Sequence, residues 1–135
     1  MTCFVGHTTV DSKNAYDLSE WWKHLLGYVD VEDDPNLPGH PECLIRDPES
    51  GHQILFLENP DTKTVKNRLH FDVRPRERNR VDEVAWAVSV GAVVVEDHGD
   101  HYGPGVGWTV LADPEGNEFC ILRSLAEYPT TTAAD

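Results

Sequence analysis

The chain opens on a stretch, residues 3–10, in which apolar and polar side chains alternate, the signature of a strand with two unlike faces. From residue 15 to residue 26 (AYDLSEWWKHLL) the period changes. Leu18, Trp21, Trp22, Leu25 and Leu26 fall on one side of an amphipathic helix. Asp11, Ser12 and Asn14 offer capping side chains before it, and Gly27 is the residue type that ends helices. Residues 28–32 read as a short strand and the proline-broken DDPNLPGHP as a loop. Residues 42–46 and 52–58 read as strands on either side of a DPESG turn. After a polar connector, residues 59–67, the order begins again. Residues 68–73 alternate as a strand, which places Leu69, Phe71 and Val73 under a helix and Arg68, His70 and Asp72 on the other face. Pro75 marks a helix entry, and Val81, Val84, Ala85 and Val88 form an apolar face ending near Gly91. Residues 92–96 read as a strand, 97–107 as a glycine-rich loop, 108–112 as a strand, DPEG as a hairpin turn and 117–123 as the last strand.

Two copies of one unit account for this order. His7 and His70, Gly27 and Gly91, and Asp47 and Asp113 recur at offsets of 63, 64 and 66 residues, so strand, helix end and turn repeat together. The repeated DP turn has a local cause: proline presets φ, aspartate accepts nearby amides and glycine takes a positive φ. The boundaries expected are 1–58 for the first unit, 59–67 for the connector, 68–124 for the second unit, and 125–135 for a tail that should fray.

With 135 residues, 39% of them hydrophobic, the chain can bury a core without disulfides. No run reaches the roughly 18 apolar residues of a membrane span, and the N-terminus lacks a basic, apolar leader. The three cysteines, Cys3, Cys43 and Cys120, are widely spaced and odd in number, as in a reduced protein. These features imply a cytoplasmic setting. The net charge of −13 excludes a phosphate backbone as partner and favours cationic or neutral ligands. No nucleotide loop, nucleophile elbow or zinc-finger spacing is present.

HTTV in the first strand, LSEWWKHLLGY in the first helix, KNRLHFDV and DPEGNEFCIL together resemble the vicinal oxygen chelate superfamily, which groups glyoxalase, bleomycin-resistance and extradiol dioxygenase proteins, and in particular its glyoxalase-like branch. The resemblance implies an α+β fold in which two βαβββ modules pair curved mixed sheets around a central cavity. Metal enzymes of that superfamily hold a divalent ion with two histidines and two glutamates, one of each from either half. On this chain the histidines fall on His7 and His70. The glutamate positions fall on Cys120 and on Leu55 or Leu57, so a thiol and an apolar side chain stand where carboxylates are expected. Hard ions depend on carboxylate oxygen, whereas Zn²⁺ accepts His7, His70 and a deprotonated Cys120. The expectation is nevertheless that Cys120 is a packing residue and that no metal or other cofactor is bound, one divalent ion such as zinc at His7, His70 and Cys120 being the alternative.

These readings make His7, Thr9, Leu55, Leu57, His70, Asp72, Tyr102, Trp108 and Cys120 the candidate ligand-binding set. Trp108 and Tyr102 supply aromatic faces, and residues 97–107 act as a lid carrying His98 and His101. His70 and Asp72 are candidates for acid–base chemistry. The function expected is binding or sequestration of an aromatic or cationic, antibiotic-like natural product. The alternatives are a metal-dependent lyase, isomerase or dioxygenase, and a metal-free acid–base enzyme of natural-product biosynthesis. A homodimer is the expected assembly.

Overall fold

The structure is a computed structural model and describes residues 1–128. It holds two compact units, Met1–Thr62 and a second beginning at Lys63. Each is a four-stranded mixed sheet with one helix, and the two repeat the same βαβββ order.

In the first unit β1 (Thr8–Ser12), α1 (Ala15–Leu26), β2 (Val29–Asp30), β3 (Glu42–Arg46) and β4 (Gln53–Glu58) form a sheet of order β1-β4-β3-β2. β1 runs parallel to β4, and the remaining pairs are antiparallel. Asn14 caps α1, its side chain accepting the Asp17 N–H at 3.0 Å. At the other end Gly27, at φ 70°, donates its N–H to the Lys23 carbonyl. The helix buries Ala15, Leu18, Ser19 and Trp22, and the sheet buries Cys43, Ile45, Ile54 and Phe56. Each large apolar side chain taken fully from water contributes about 1.5–3 kcal/mol. Trp22, rather than its neighbour Trp21, is the buried indole. The first strand is shorter than the alternation of residues 3–10 suggests, because pairing with β4 begins only at Thr8.

The second unit contains β5 (Asp72–Val73), α2 (Arg80–Ser89), β6 (Val93–His98), β7 (Trp108–Ala112) and β8 (Glu118–Ile121), in the order β5-β8-β7-β6. β5 runs parallel to β8, and β6, β7 and β8 are antiparallel. Four sequence expectations change here, one of them the apolar face of α2: Val81 and Val88 are exposed, and the buried residues of the helix are Arg80 and Ala87. β5 is two residues long, and Leu69, expected under a helix, is 90% exposed. α2 starts at Arg80 instead of near Pro75, because the Asn79 side chain accepts the Asp82 N–H at 2.8 Å and sets the first turn there. β6 runs on to His98 through a bulge between Val94 and Glu96, which takes two residues from the expected loop.

Both DP turns begin with the aspartate accepting the amide two residues on, and each then uses a glycine at positive φ, one residue later in the first turn than in the second. Asp47 accepts the Glu49 N–H and the Ser50 hydroxyl, both at 2.9 Å, with Gly51 at φ 81°. Asp113 accepts the amides of Glu115 at 2.9 Å and Asn117 at 3.0 Å, with Gly116 at φ 87°. Beyond β8, Leu125–Glu127 forms a 3₁₀ turn. Its Glu127 carboxylate accepts the Arg80 N–H at 2.8 Å and the Ser124 N–H at 2.6 Å, so the first residues of the tail are fastened to the start of α2. The rest of the tail expected to fray, residues 129–135, lies outside the described residues.

Candidate functional site

Each sheet has one face under its helix and one face without it, and register assigns side chains to the second face. In the first unit Thr9 pairs with Leu55 and Leu55 with Leu44. Asp11 pairs with Leu57 and Leu57 with Glu42. Ile54 and Phe56, the alternate residues of β4, are buried against α1, so Thr9, Leu55 and Leu57 belong to the helix-free face. His7 is exposed and lies one residue before β1.

In the second unit Asp72 pairs with Cys120, Cys120 with Val110, and Val110 with Glu96. That row crosses all four strands on the face away from α2, since Leu111, Phe119 and Ile121, of opposite parity, form the core. Trp108 and His98, themselves a pair, lie on the same face one step along the strands. On the other side of the row Glu118 shares the face with Cys120.

His70, Asp72 and Cys120 converge. The His70 Nε2 lies 3.5 Å from the Asp72 carboxylate. One ligand-type atom from each of the three residues falls within 4.8 Å of the other two. Cys120 is 6% exposed and forms the floor, while the His70 and Asp72 side chains are 34% and 54% exposed at the rim. Burial pushes the Cys120 thiol up to about 11, and the adjacent Asp72 carboxylate, by its charge and as hydrogen-bond acceptor, adds to the shift. The thiol is therefore protonated at neutral pH and is no free-standing nucleophile.

A ring cluster stands beside this group. The His98 imidazole stacks on Trp108 with centroids 4.9 Å apart and planes 24° from parallel. His101 lies 5.0 Å from Trp108, and Tyr102, 72% exposed, lies 5.9 Å from it. Glu96 accepts a hydrogen bond from His98 Nε2 at 2.8 Å, which fixes the imidazole over the indole. The loop itself is held in shape. The Tyr102 N–H donates to the Val106 carbonyl, and the Gly105 N–H to Asp100 at 2.8 Å. At Gly107 a Cβ would stand 1.8 Å from the His98 carbonyl oxygen, so a side chain is excluded where the loop rejoins the sheet.

Glu118 lies outside the candidate set read from the sequence, although the alternation of EFCI places it on this face. It accepts the Lys63 ammonium and, at 2.8 Å, the Asn67 N–H. Burial alone would raise its pKa, but these donors outweigh burial and hold it below the ordinary value. His98, a loop residue by sequence, is a strand residue facing Trp108, and the bulge at Val95 breaks the parity that would have revealed it. The structure thus gathers His70, Asp72, Trp108, Tyr102 and Cys120 on or beside one face of the second unit. It puts Thr9, Leu55 and Leu57 on the corresponding face of the first.

These features define a member of a known class. The glyoxalase-like domain family matches residues 7–122, and the chain belongs to that family. Solved structures with the same fold include a glyoxalase/bleomycin resistance protein/dioxygenase family enzyme from Burkholderia phytofirmans PsJN. It has 20% identity and a TM-score of 0.63, over 85% of this chain and 94% of that one. A mutant of the fosfomycin resistance protein FosX from Listeria monocytogenes, complexed with Mn(II) and 1S,2S-dihydroxypropylphosphonic acid, has 12% identity and a TM-score of 0.65 over 94% of both chains. A possible glyoxalase from Bacillus cereus has 12% identity and a TM-score of 0.61, over 90% of this chain and 99% of that one. No curated protein matches the sequence.

A Mn(II) ion of the kind held by that FosX structure suits oxygen-rich donor sets. The second unit here offers one imidazole, one carboxylate and one thiol. In the first unit the equivalent cross-strand pair is Thr9 and Leu55, and Leu55 donates nothing. This set does not fit a hard ion, so no chemical step is routed through one.

Proposed function

We propose that the protein binds a small organic molecule with a planar or aromatic portion, on the helix-free face of its second unit, and that its role is sequestration of an antibiotic-like natural product. The observation that carries this reading is the ring cluster: Trp108, with His98 stacked on it and His101 and Tyr102 around it, beside the Asp72–Cys120–Val110 row. Exposed π surface next to apolar Val110 and the polar His70 and Asp72 gives a stacking platform with an orienting polar edge. The net charge of −13 supports a cationic partner by long-range attraction. The cysteines Cys3, Cys43 and Cys120 are free thiols, which supports a reducing, cytoplasmic setting.

The test is tryptophan-fluorescence titration with a panel of cationic glycopeptides, planar polyketides and related compounds. Saturable quenching that falls at least tenfold in affinity in Trp108→Ala is the expected result. A silent panel, or quenching unchanged in Trp108→Ala, refutes the reading. The convergence of His70, Asp72 and Cys120 favours a second reading, in which the same face carries out metal-assisted or acid–base chemistry on the bound molecule.

A further inference from the structure

We propose that the outward face of α2 is an interface with a second copy of this chain, in which two α2 helices pack antiparallel about a two-fold axis that passes between Val84 and Ala85. The proposal goes beyond the reading of the ring cluster and does not depend on any ligand.

Three observations carry it. The first is an apolar stripe on the outer side of its helix. Val81, Val84, Ala85 and Val88 follow the i, i+3, i+4, i+7 spacing of a core-facing surface. In the structure α2 instead turns Arg80 and Ala87 into the core. The Arg80 guanidinium donates to the Thr109 hydroxyl of β7 and to Asp97 of β6, which fixes the rotation of the helix about its own axis. Val81 is left 63% and Val88 45% exposed, Ala85 is exposed and Val84 is half-buried. α1, the counterpart in the first unit, buries Leu18 and Trp22 of its apolar face. The second observation is symmetry. The stripe runs V-x-x-V-A-x-x-V and is nearly the same in both directions. A two-fold axis at its midpoint sets Val81 against the partner subunit's Val88 and Val84 against the partner subunit's Ala85, and the same contacts recur with the copies exchanged. Alanine opposite valine at the centre allows the axes to approach to about 8 Å, the short end of the usual range. The third is charge. At a net charge of −13, two copies repel wherever their acidic surfaces meet. The stripe carries no ionisable residue, and Asp82 and Glu83, the acids of the first turn, fall outside its arc. It also lacks the Trp, Phe or Leu anchors with which a helix holds a lipid surface, so its self-matching order singles out a second copy as the occupant. Two ten-residue helices meeting along one stripe lie at the low end of specific interfaces, so micromolar rather than nanomolar affinity is expected.

The experiment uses the full chain. Sedimentation equilibrium is expected to show a monomer–dimer equilibrium with a dissociation constant below about 100 µM. Val81→Glu and Val88→Glu should each weaken the dimer at least about tenfold, because each sets a carboxylate against apolar surface. Phe4→Ser, in the exposed segment before β1, should leave it unchanged. Far-ultraviolet circular dichroism checks that each variant folds, and one that does not is replaced by Val81→Ser or Val88→Ser. Disulfide trapping in a Cys3→Ser background reads the orientation. Ala85→Cys, beside the axis, should cross-link to itself. Val81→Cys should not, because its symmetry mate lies about 10 Å farther along the helix, but it should cross-link to Val88→Cys when the two variants are mixed. A chain that stays monomeric at about 100 µM overturns the proposal. So does a dimer that neither glutamate variant weakens, or one dissolved by Phe4→Ser alone, which would move the interface to the N-terminal segment. Self-cross-linking of Val81→Cys without that of Ala85→Cys overturns the antiparallel arrangement. None of these outcomes bears on quenching at Trp108, so the two readings fail separately.

Discussion

Gly107→Ala isolates one packing requirement of the ring cluster. The φ of Gly107 lies outside the left-handed region, so alanine there brings no backbone strain of its own. The new methyl would stand 1.8 Å from the His98 carbonyl oxygen, 2.9 Å from the His98 carbonyl carbon and 3.0 Å from that of Gly99. All three are backbone atoms, and ordinary carbon–oxygen contacts are about 3.3 Å or longer. The loop and the end of β6 must therefore separate by about 1.5 Å. The separation falls on the last pair of the β6–β7 ladder, His98 with Trp108. Overpacking of this kind costs about 1–3 kcal/mol, and a lost ladder hydrogen bond adds about 1 kcal/mol. A destabilisation of about 2–4 kcal/mol lowers the melting temperature by roughly 8–15 °C for a chain of this size. The matched control is Gly105→Ala, where φ is +72° and nothing lies within 4 Å of the added carbon. There the cost is the left-handed conformation alone, about 1 kcal/mol. Thermal denaturation followed by far-ultraviolet dichroism, with near-ultraviolet dichroism reporting on the indoles, compares the two. If Gly107→Ala melts within about 2 °C of the parent, or Gly105→Ala is the more damaging, the steric account is wrong.

Two further predictions concern charge. Because burial and Asp72 raise the Cys120 thiol to about 11 in the folded state, its contribution to stability is complete below the ordinary thiol value and is lost as pH rises toward 11. In a Cys3→Ser background, iodoacetamide should modify the folded protein slowly at pH 8, and Asp72→Asn should speed the reaction by bringing the thiol down; rapid modification at pH 8 without Asp72→Asn refutes this. Glu118, held low by Lys63 and the Asn67 amide, contributes stability that is full above the ordinary carboxylate value and is lost as pH falls through its folded pKa. Lys63→Met should destabilise the protein by about 1–2 kcal/mol at pH 7 and flatten the fall in stability between pH 5 and pH 3, as read by urea denaturation at each pH; an unchanged acid limb argues against the Lys63–Glu118 pair.

What could be read from the chain was governed by how local its causes are. The helix caps, the two DP turns and the alternation of β3 and β4 depend on residues within a few positions of one another. Asn14, Gly27, Asp47 and Asp113 therefore do in the structure what their residue types suggest. Trp22 rather than Trp21 at the core needed the crossing of α1 over β3 and β4, which no period states. Leu69 departs from expectation for a related reason. Alternation puts it under a helix only if the strand is paired that far, and β5 pairs with β8 through Asp72 and Val73 alone. The site residues divide in the same way. Asp72, Trp108 and Cys120 were legible as residues of one face because β5, β7 and β8 keep their parity, His70 lies outside β5 and reaches Asp72 by its side chain, and His98 and Glu96 were hidden behind a bulge. The face of Glu118 was legible by parity, but its ion pair with Lys63 spans residues that no local pattern connects.

The duplicated architecture constrains some positions and frees others, and the contrast locates the chemistry. The Thr9–Leu55 pair of the first unit and the Asp72–Cys120 pair of the second occupy the same place in the same parallel ladder. The DP turns that lead into β4 and β8 begin alike in sequence, and in each the aspartate accepts the amide two residues on. Register, then, is common to the two units, while the side chains displayed by it are a threonine and a leucine in one and an acid and a thiol in the other. Burying a thiol beside a carboxylate raises its pKa and brings no packing advantage over leucine at the same register. A purely structural role would be served as well by an apolar side chain at residue 120. A carboxylate, a thiol and an imidazole therefore stand together on one unit only, at a register where the other unit shows a threonine and a leucine.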